Sequence, residues 1–578
     1  MTTQPTLDDF PLPRPTPAPD AGPLDDRFYD LVEARFRRVV HDHPDLATFV
    51  GIHTEDHRLA DGSRDATLGE IAADRAHLAA IEAIDPVGLS PEARFERELE
   101  LHNLRHDLFD ADVHRVWERR STALDSVGDP LFALFARDFA PLAERLDAMS
   151  SRLEAVPAFL EASRSRATVP QVRLWQALEI ETAGEVPFLF DQIVAAGQDV
   201  LGAAEQRRLV AASDRAKAAV SDYVTFLTGT LPGGTDDWAL GRERYDELVG
   251  LRAFDGLDAD RILEIGHEQL ALNKAARVAA AREIDPTVNE PTVVDRIKRD
   301  HPVTFDAALE AYRDVMLRAR GHLIQHGIVT VPDDERIEVI PTPEYIRNVI
   351  PFAAYFDPPR FDAHPSGIYI VTPSVGNDPN AMREHNYSSI SNTSIHEAYP
   401  GHHLQLSVAG KHPSLTRALT NAPEFVEGWA MYSEQMMREQ GFDDAPNFRL
   451  NMHTDAIWRS ARIILDVRMH RGEIGVDDAV RFMVEQTSFE EANARAEVLR
   501  YTYTPTYQLS YLLGKVLLLQ LRADEMARLG SGFSLRGFHD ALLGHGSLPI
   551  SFHRRLLTDA SSGSGSGSGS AASRAAAV

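Results

Sequence analysis

The chain has 578 residues, a net charge of −28 and no cysteine. That balance disfavours nucleic acid and anionic membrane as partners, since both need basic patches. Missing cysteine excludes disulfides, thiolate metal sites and cysteine nucleophiles, while 43% hydrophobic and 25% charged residues describe a soluble globular chain long enough for two packed lobes.

Residues 1–25 carry the run Pro11-Leu12-Pro13-Arg14-Pro15-Thr16-Pro17-Ala18-Pro19, which reads as an extended, disordered lead-in. It has no basic start followed by an apolar run, so no secretory signal is expected, and cytoplasm is the default location. Nothing approaches the ~18 uninterrupted apolar residues of a membrane helix. From 26 to 285 a helical N-terminal lobe is expected, with apolar residues at three- and four-residue spacing near 26–40, 66–84, 92–120, 131–167, 202–229 and 258–284. Asp285-Pro286-Thr287-Val288-Asn289-Glu290-Pro291-Thr292 punctuates the middle and separates that lobe from a second, 292–557. The second lobe continues with helices near 303–326 and 476–486. Its strand candidates are few: Arg336–Ile340 and Gly367–Val371, both bounded by proline. The Pro-, Asn-, Ser- and Gly-rich stretch 372–392 reads as a long loop over a cleft, and residues 558–578 as a flexible Gly/Ser/Ala tail. Lysine occurs only as Lys217, Lys274, Lys298, Lys411 and Lys515.

The most informative stretch is His396-Glu397-Ala398-Tyr399-Pro400-Gly401-His402-His403. In the ordinary H-E-x-x-H helix two imidazoles at i and i+4 face one metal, and the glutamate activates the bound water. Here Pro400 holds the i+4 slot and histidines follow at i+6 and i+7. An unbroken helix would put His403 only ~20° round from His396 but ~10 Å along the axis, too far to share an ion. Pro400 removes a helix hydrogen bond and Gly401 tolerates unusual dihedrals, so the helix can break there. Absorbing two residues returns His402 to His396, and absorbing three returns His403. A third ligand is expected from a second helix, where Glu424, Glu427 and Glu434 share one face. Spacing alone does not choose among them.

Two further constellations are candidates for the cleft. The segment from Asp455 to His470 is apolar on most of its circumference, and Arg459, Arg462, Asp466 and His470 form one polar strip along it. His470 is a candidate oxyanion donor and Arg462 a candidate partner for a substrate carboxylate; the alternative is a buried Arg–Asp pair that fixes helix register. Tyr503, Tyr507 and Tyr511 then follow at i, i+4 and i+8, with Pro505 starting a helix that leaves Tyr503 outside. A phenol aimed at a tetrahedral intermediate can supply an oxyanion donor.

His396 to Gln405, Glu427-Gly428-Trp429-Ala430-Met431-Tyr432-Ser433-Glu434 and Trp458 to Asp466 resemble the bacterial family known as domain of unknown function 885, whose signature is H-E-x-x-P-G-H-H-L-Q. The resemblance covers about residues 26–525, and the family is similar to helical zinc peptidases of the glutamate-zincin kind. It implies a mainly α, zincin-like metallopeptidase fold with a small β element beside the cleft, where such enzymes often offer an edge strand to an extended substrate. It implies one Zn2+ per chain held by His396, a histidine of the 402/403 pair and Glu427, with Glu397 as general base. The run His403-Leu404-Gln405 favours His403. Arg500, Tyr501, Pro505, Ser510 and Tyr511 match the family's pattern, whereas Thr504-Pro505-Thr506-Tyr507-Gln508 departs from it at four positions. Glu397, His470, Tyr511 and Arg500 are therefore the candidate catalytic residues. The expected activity is hydrolysis of short peptides, carboxypeptidase-like in one version. Cleavage of another amide such as an acyl-amino acid, or metal binding without turnover, are the alternatives.

Overall fold

A computed structural model describes residues 6–343, 347, 350, 353–373, 381–487 and 489–562. Helices dominate it, and the periodic segments form where apolar spacing puts them: Pro23–Asp42, Arg64–Glu82, Ala203–Thr230, Ala259–Ile284, Phe305–His326 and Val476–Thr487. The expected 131–167 helix is instead two, Asp125–Ala136 and Leu142–Ser163, with Pro141 at the break. The 92–120 segment ends as a regular helix at Phe109 and then loosens into a wider turn over Asp110–His114. Among the described residues no helix is long and apolar enough to cross a membrane.

Among the described residues there is one sheet, with strands β1 (Ile337–Pro341), β2 (Ala353–Phe356) and β3 (Gly367–Val371) in the order β1-β3-β2. β1 runs parallel to β3, with Val339 opposite Tyr369, and β2 runs antiparallel, with Tyr355 opposite Tyr369. β3 is therefore central, not the edge strand expected beside the cleft. The reason is β2, whose short Ala-Ala-Tyr-Phe run has too few residues to announce itself in sequence but takes up the free side of β3.

The hydrophobic cores divide the chain differently from a boundary at 285–292. One core joins the 245–265 region, the Phe305–His326 helix, the sheet, and the helices from 390 onward. Gly266 makes this possible: a Cβ there would lie 2.9 Å from Ile463, so the Ala259–Ile284 helix lies directly on the Pro446–His470 helix. Residues 123–227 form a second core, and residues 7–101 with Leu415 a third. The lead-in is not disordered over residues 6–22. Leu7 is buried in the third core, Phe10 packs edge-on against Phe361, and Arg14 pairs with Asp26 and Asp30. The last helix runs Ile550–Ser562, into the expected tail, and the rest of that tail lies outside the described residues. So do 374–380 of the expected 372–392 loop, whose end is helix: Tyr387–Glu397 begins there, capped by the Asn386 side chain.

Candidate functional site

The Tyr387–Glu397 helix is a polar element held inside the protein: Ser388, Ser391, Asn392, Ser394 and His396 are all buried. It stops at Glu397. Ala398 leaves the helical region (φ −111°, ψ −88°), the Tyr399–Pro400 bond is cis, and a new helix, His402–Ala409, starts after Gly401. The break is a tight reversal in which the Gly401 N–H donates back to the Ile395 carbonyl at 3.0 Å. A Cβ at Gly401 would collide with the His396 and Ile395 carbonyl oxygens, so only glycine fits. The Trp429 indole N–H fixes the turn from the neighbouring helix by donating to the Pro400 carbonyl at 2.7 Å.

This turn absorbs two residues. His402 comes back against His396, their rings nearly perpendicular and 4.8 Å apart. Glu427, on the Pro423–Glu439 helix, faces both: its Oε2 lies 3.6 Å from His396 Nε2 and 3.4 Å from His402 Nε2. One donor atom from each of these three residues lies within 4.8 Å of the others. Tetrahedral zinc with ligand bonds of about 2.0–2.2 Å holds its ligand atoms roughly 3.3–3.6 Å apart. The two distances to Glu427 fall in that range, within a group that spans up to 4.8 Å, and an N, N, O donor set is one that zinc takes.

The neighbours explain why Glu427 takes this place. Glu424 is paired with Arg252 at 2.7 Å. Glu434 accepts from His396 Nδ1 at 2.8 Å, and its other oxygen accepts from Asn392, which also donates to Asp455. With Nδ1 donating to a carboxylate, a neutral His396 carries its lone pair on Nε2, toward Glu427. Burial disfavours the imidazolium, but the hydrogen bonds to Glu427 and Glu434 prevail and push His396 up to about 10. Burial likewise opposes ionisation of Glu427, and its hydrogen bonds with His396 and His402 overcome this to hold it well below the usual carboxylate range. Burial raises Asp455 to about 6.

His403, favoured by the resemblance, is not part of this group. It is fully buried, and both ring nitrogens are engaged: Nδ1 accepts from Tyr355 at 2.8 Å and Nε2 donates to Glu335 at 2.8 Å. Glu335 also accepts from Tyr399 and Arg320; burial opposes its charge, but these donors hold it down to about 2. Adjacent helical residues point ~100° apart, so a turn that delivers His402 must send His403 the other way.

Tyr511 lies on the Ser510–Leu529 helix and Tyr507 on the turn just before it. That helix crosses the Pro423–Glu439 helix at a glycine pair, where a Cβ on Gly428 would sit 2.6 Å from the Gly514 carbonyl carbon. That closeness brings Tyr507 OH to Glu427 Oε1 at 3.0 Å, with Tyr511 OH 3.3 Å behind it. Tyr507, rather than Tyr511, touches the cluster. Its phenol lies well above the usual range, chiefly because of the Glu427 charge. The helix begins at Ser510, after a short turn at Tyr507–Leu509, and not at Pro505; Tyr503 stacks under Arg120 instead. Glu397 ends its helix half-buried beside His396, and among the described residues nothing hydrogen-bonds its carboxylate.

The remaining candidates lie elsewhere. His470 is fully buried, stacked on Tyr245, with Nε2 donating to the Tyr501 carbonyl at 2.8 Å, and burial holds it down to about 3; it cannot reach a substrate oxyanion. Arg462 is a buried structural cation, but its partners are Glu497 and Tyr501, not Asp466. Asp466 accepts from Tyr245 and the Thr506 N–H. Arg500 donates to Glu497 and contacts none of His396, His402 or Glu427. Asn392, Glu335 and Tyr355 were not singled out from sequence, and of the three spaced tyrosines it is Tyr507, not the expected Tyr511, that reaches the cluster. The buried polar face ahead of His396 was a usable signal for Asn392, whereas Glu335 lies 68 residues from His403 with no periodicity linking them.

A family model described as bacterial protein of unknown function (DUF885) matches residues 44–557, and the chain belongs to that family. No curated protein matches. Among solved structures, a putative lipoprotein of unknown function from Shewanella oneidensis superposes with a TM-score of 0.75 at 22% identity, covering 92% of this chain and 99% of that one. The putative lipoprotein from Colwellia psychrerythraea gives 0.80 at 17% identity, with 93% and 99% covered. At these identities the likeness is one of fold.

Proposed function

We propose that this DUF885 family member is a metal-dependent hydrolase of peptide bonds, with one zinc ion per chain held by His396, His402 and Glu427. The observation that carries the reading is the convergence of two imidazole Nε2 atoms on one carboxylate oxygen at 3.6 and 3.4 Å. Two imidazoles and a carboxylate facing one point inside a protein are a donor set that a zinc ion can take up by displacing the proton they share. Zinc there would polarise a carbonyl and bring the pKa of a bound water near neutrality.

The chain's own residues supply the rest. Glu434, backed by Asn392, fixes the His396 tautomer and ring direction. Glu397 follows His396 directly and has no hydrogen-bond partner among the described residues, which suits it to take a proton from the attacking water and return it to the leaving amine. The Tyr507 hydroxyl, within reach of Glu427, is the phenol best sited to donate to a developing oxyanion. Short peptides are the proposed substrates, in the carboxypeptidase-like version with a free carboxyl end.

Metal analysis of the purified chain together with a peptide-library digest tests this. Glu397→Gln should keep the metal and lose turnover, and comparing free with amidated carboxyl ends separates the exopeptidase version from an endopeptidase. A wild-type protein that takes up no metal from a zinc solution would refute the reading.

A further inference from the structure

Four of the five lysines have partners. Lys217 pairs with Asp191, Lys298 with Glu384 and Lys411 with Asp334, and Lys274 donates to the Gln486 amide oxygen. Lys515 differs. It lies in the Ser510–Leu529 helix, is only 5% exposed, and makes no hydrogen bond or ion pair among the described residues. The carboxylates whose fields reach it are Glu434 and Glu439, and both are engaged elsewhere: Glu434 with His396 and Asn392, Glu439 with Arg522 and Gln435. Its ammonium has no counter-charge within hydrogen-bonding distance among the described residues, and burial of the side chain lowers its pKa.

Lys515 is also a wall of a cavity. A space of about 320 Å³ is lined by Gln269, Asn273, Gln435, His453, Gln520 and Lys515, with Val516 and Leu519 as its apolar part. Burial first, then the charges of Lys515 and Arg449, hold His453 down to about 4, so it is neutral at ordinary pH. Lys515 is then the one cation in the lining, facing a set of neutral amides. A single monovalent cation without arginine suits a monovalent anion; a phosphate dianion would call for a bidentate arginine or several donors.

We propose that this cavity is a binding site for a small monocarboxylate, with the Lys515 ammonium as its charge partner and the surrounding amides as neutral lining. The site is separate from the His396–His402–Glu427 cluster and does not depend on the hydrolase reading.

Propanoate is the probe and propanamide, its uncharged counterpart, the control, both added to the full chain as purified. In the wild type, propanoate should raise the thermal midpoint and slow cyanate labelling of Lys515, read by mass spectrometry. Labelling should fall about tenfold at a concentration about ten times the Kd, with the other four lysines unchanged. Lys515→Met keeps the unbranched stem, one atom shorter, without the charge and should abolish the thermal shift. The labelling arm uses the wild type alone, so it decides even where Lys515→Met misfolds. Equal shifts with propanamide, a propanoate shift that persists in Lys515→Met, or no protection of Lys515 would each overturn the proposal.

Discussion

Two buried clusters of histidine and charge lie on neighbouring helices, and they are built on opposite principles. Around Arg462, Glu497, Tyr501 and Asp466 nearly every acceptor meets a donor. Glu497 takes bonds from Arg462, Arg500 and Tyr501 and is held down to about 2, burial notwithstanding, by the two arginines. Around His396, His402 and Glu427 two outer atoms are supported, His396 Nδ1 by Glu434 and Glu427 Oε1 by Tyr507. His402 Nδ1 meets no partner among the described residues, and the inner atoms point at each other. The first cluster is held together by direct donor–acceptor pairs at 2.7–2.9 Å, whereas the second turns two imidazoles and a carboxylate toward one point at 3.4 and 3.6 Å. Convergence of donor atoms, rather than burial or residue type, is what marks a site that a metal can take.

The largest effects should come from removing what makes the second cluster converge. His396→Ala, His402→Ala and Glu427→Ala should each lose the metal, measured by elemental analysis after gel filtration. Glu397→Gln should retain it while the peptide-cleavage rate falls by about two to four orders of magnitude. If His402→Ala holds zinc at full occupancy and His403→Ala does not, the assignment drawn from the turn is reversed.

Gly401→Ala comes next. Its methyl would meet the His396 carbonyl, so the turn must open; about 1–3 kcal/mol of stability should go, as for other overpacked sites, and metal affinity with it. Thermal melts with and without added zinc measure both. A normal melting point with normal zinc binding would show that the reversal does not need glycine.

The first cluster should answer with stability alone. Arg462→Met removes one of three donors to the largely buried Glu497 and should cost about 1–3 kcal/mol in denaturant unfolding, with metal content unchanged. His403→Ala, which deprives Glu335 of one donor, should cost about 1–3 kcal/mol and also keep the metal. Metal loss in a well-folded Arg462→Met would erase the distinction between the two clusters.

The smallest effect lies away from both. His53 bridges Asp56 and Asp362, each at 2.9 Å, and stacks on Phe139. Burial works against its charge, but the two carboxylates raise its pKa from 6.5 to about 9. A raised folded-state value stabilises fully below the unfolded pKa, so this contribution should be present below pH 6.5 and fade as pH rises through 9. His53→Gln should remove about 1 kcal/mol at pH 6 and little at pH 10. A pH-independent difference would exclude the ion pairs as its source.

The amino-acid sequence was enough to determine the helical character, two of the three strands, the break after Glu397 and the choice of His396, Glu397 and Glu427 as residues to examine. Each rests on local information: apolar periodicity, proline and glycine at a turn, acids and imidazoles at short spacing. The tertiary structure decided the rest. Whether the turn absorbs two residues or three depends on the fit of Gly401 over the Ile395 and His396 carbonyls and on Trp429 reaching Pro400, contacts of atoms rather than of patterns. His470 and Arg462 looked like cleft residues because a polar strip on an apolar helix must face something. What they face, Tyr501 and Glu497, lies 31 and 35 residues further along the chain. Sequence shows that a buried polar group needs a partner; only the packed chain shows whether that partner is already there.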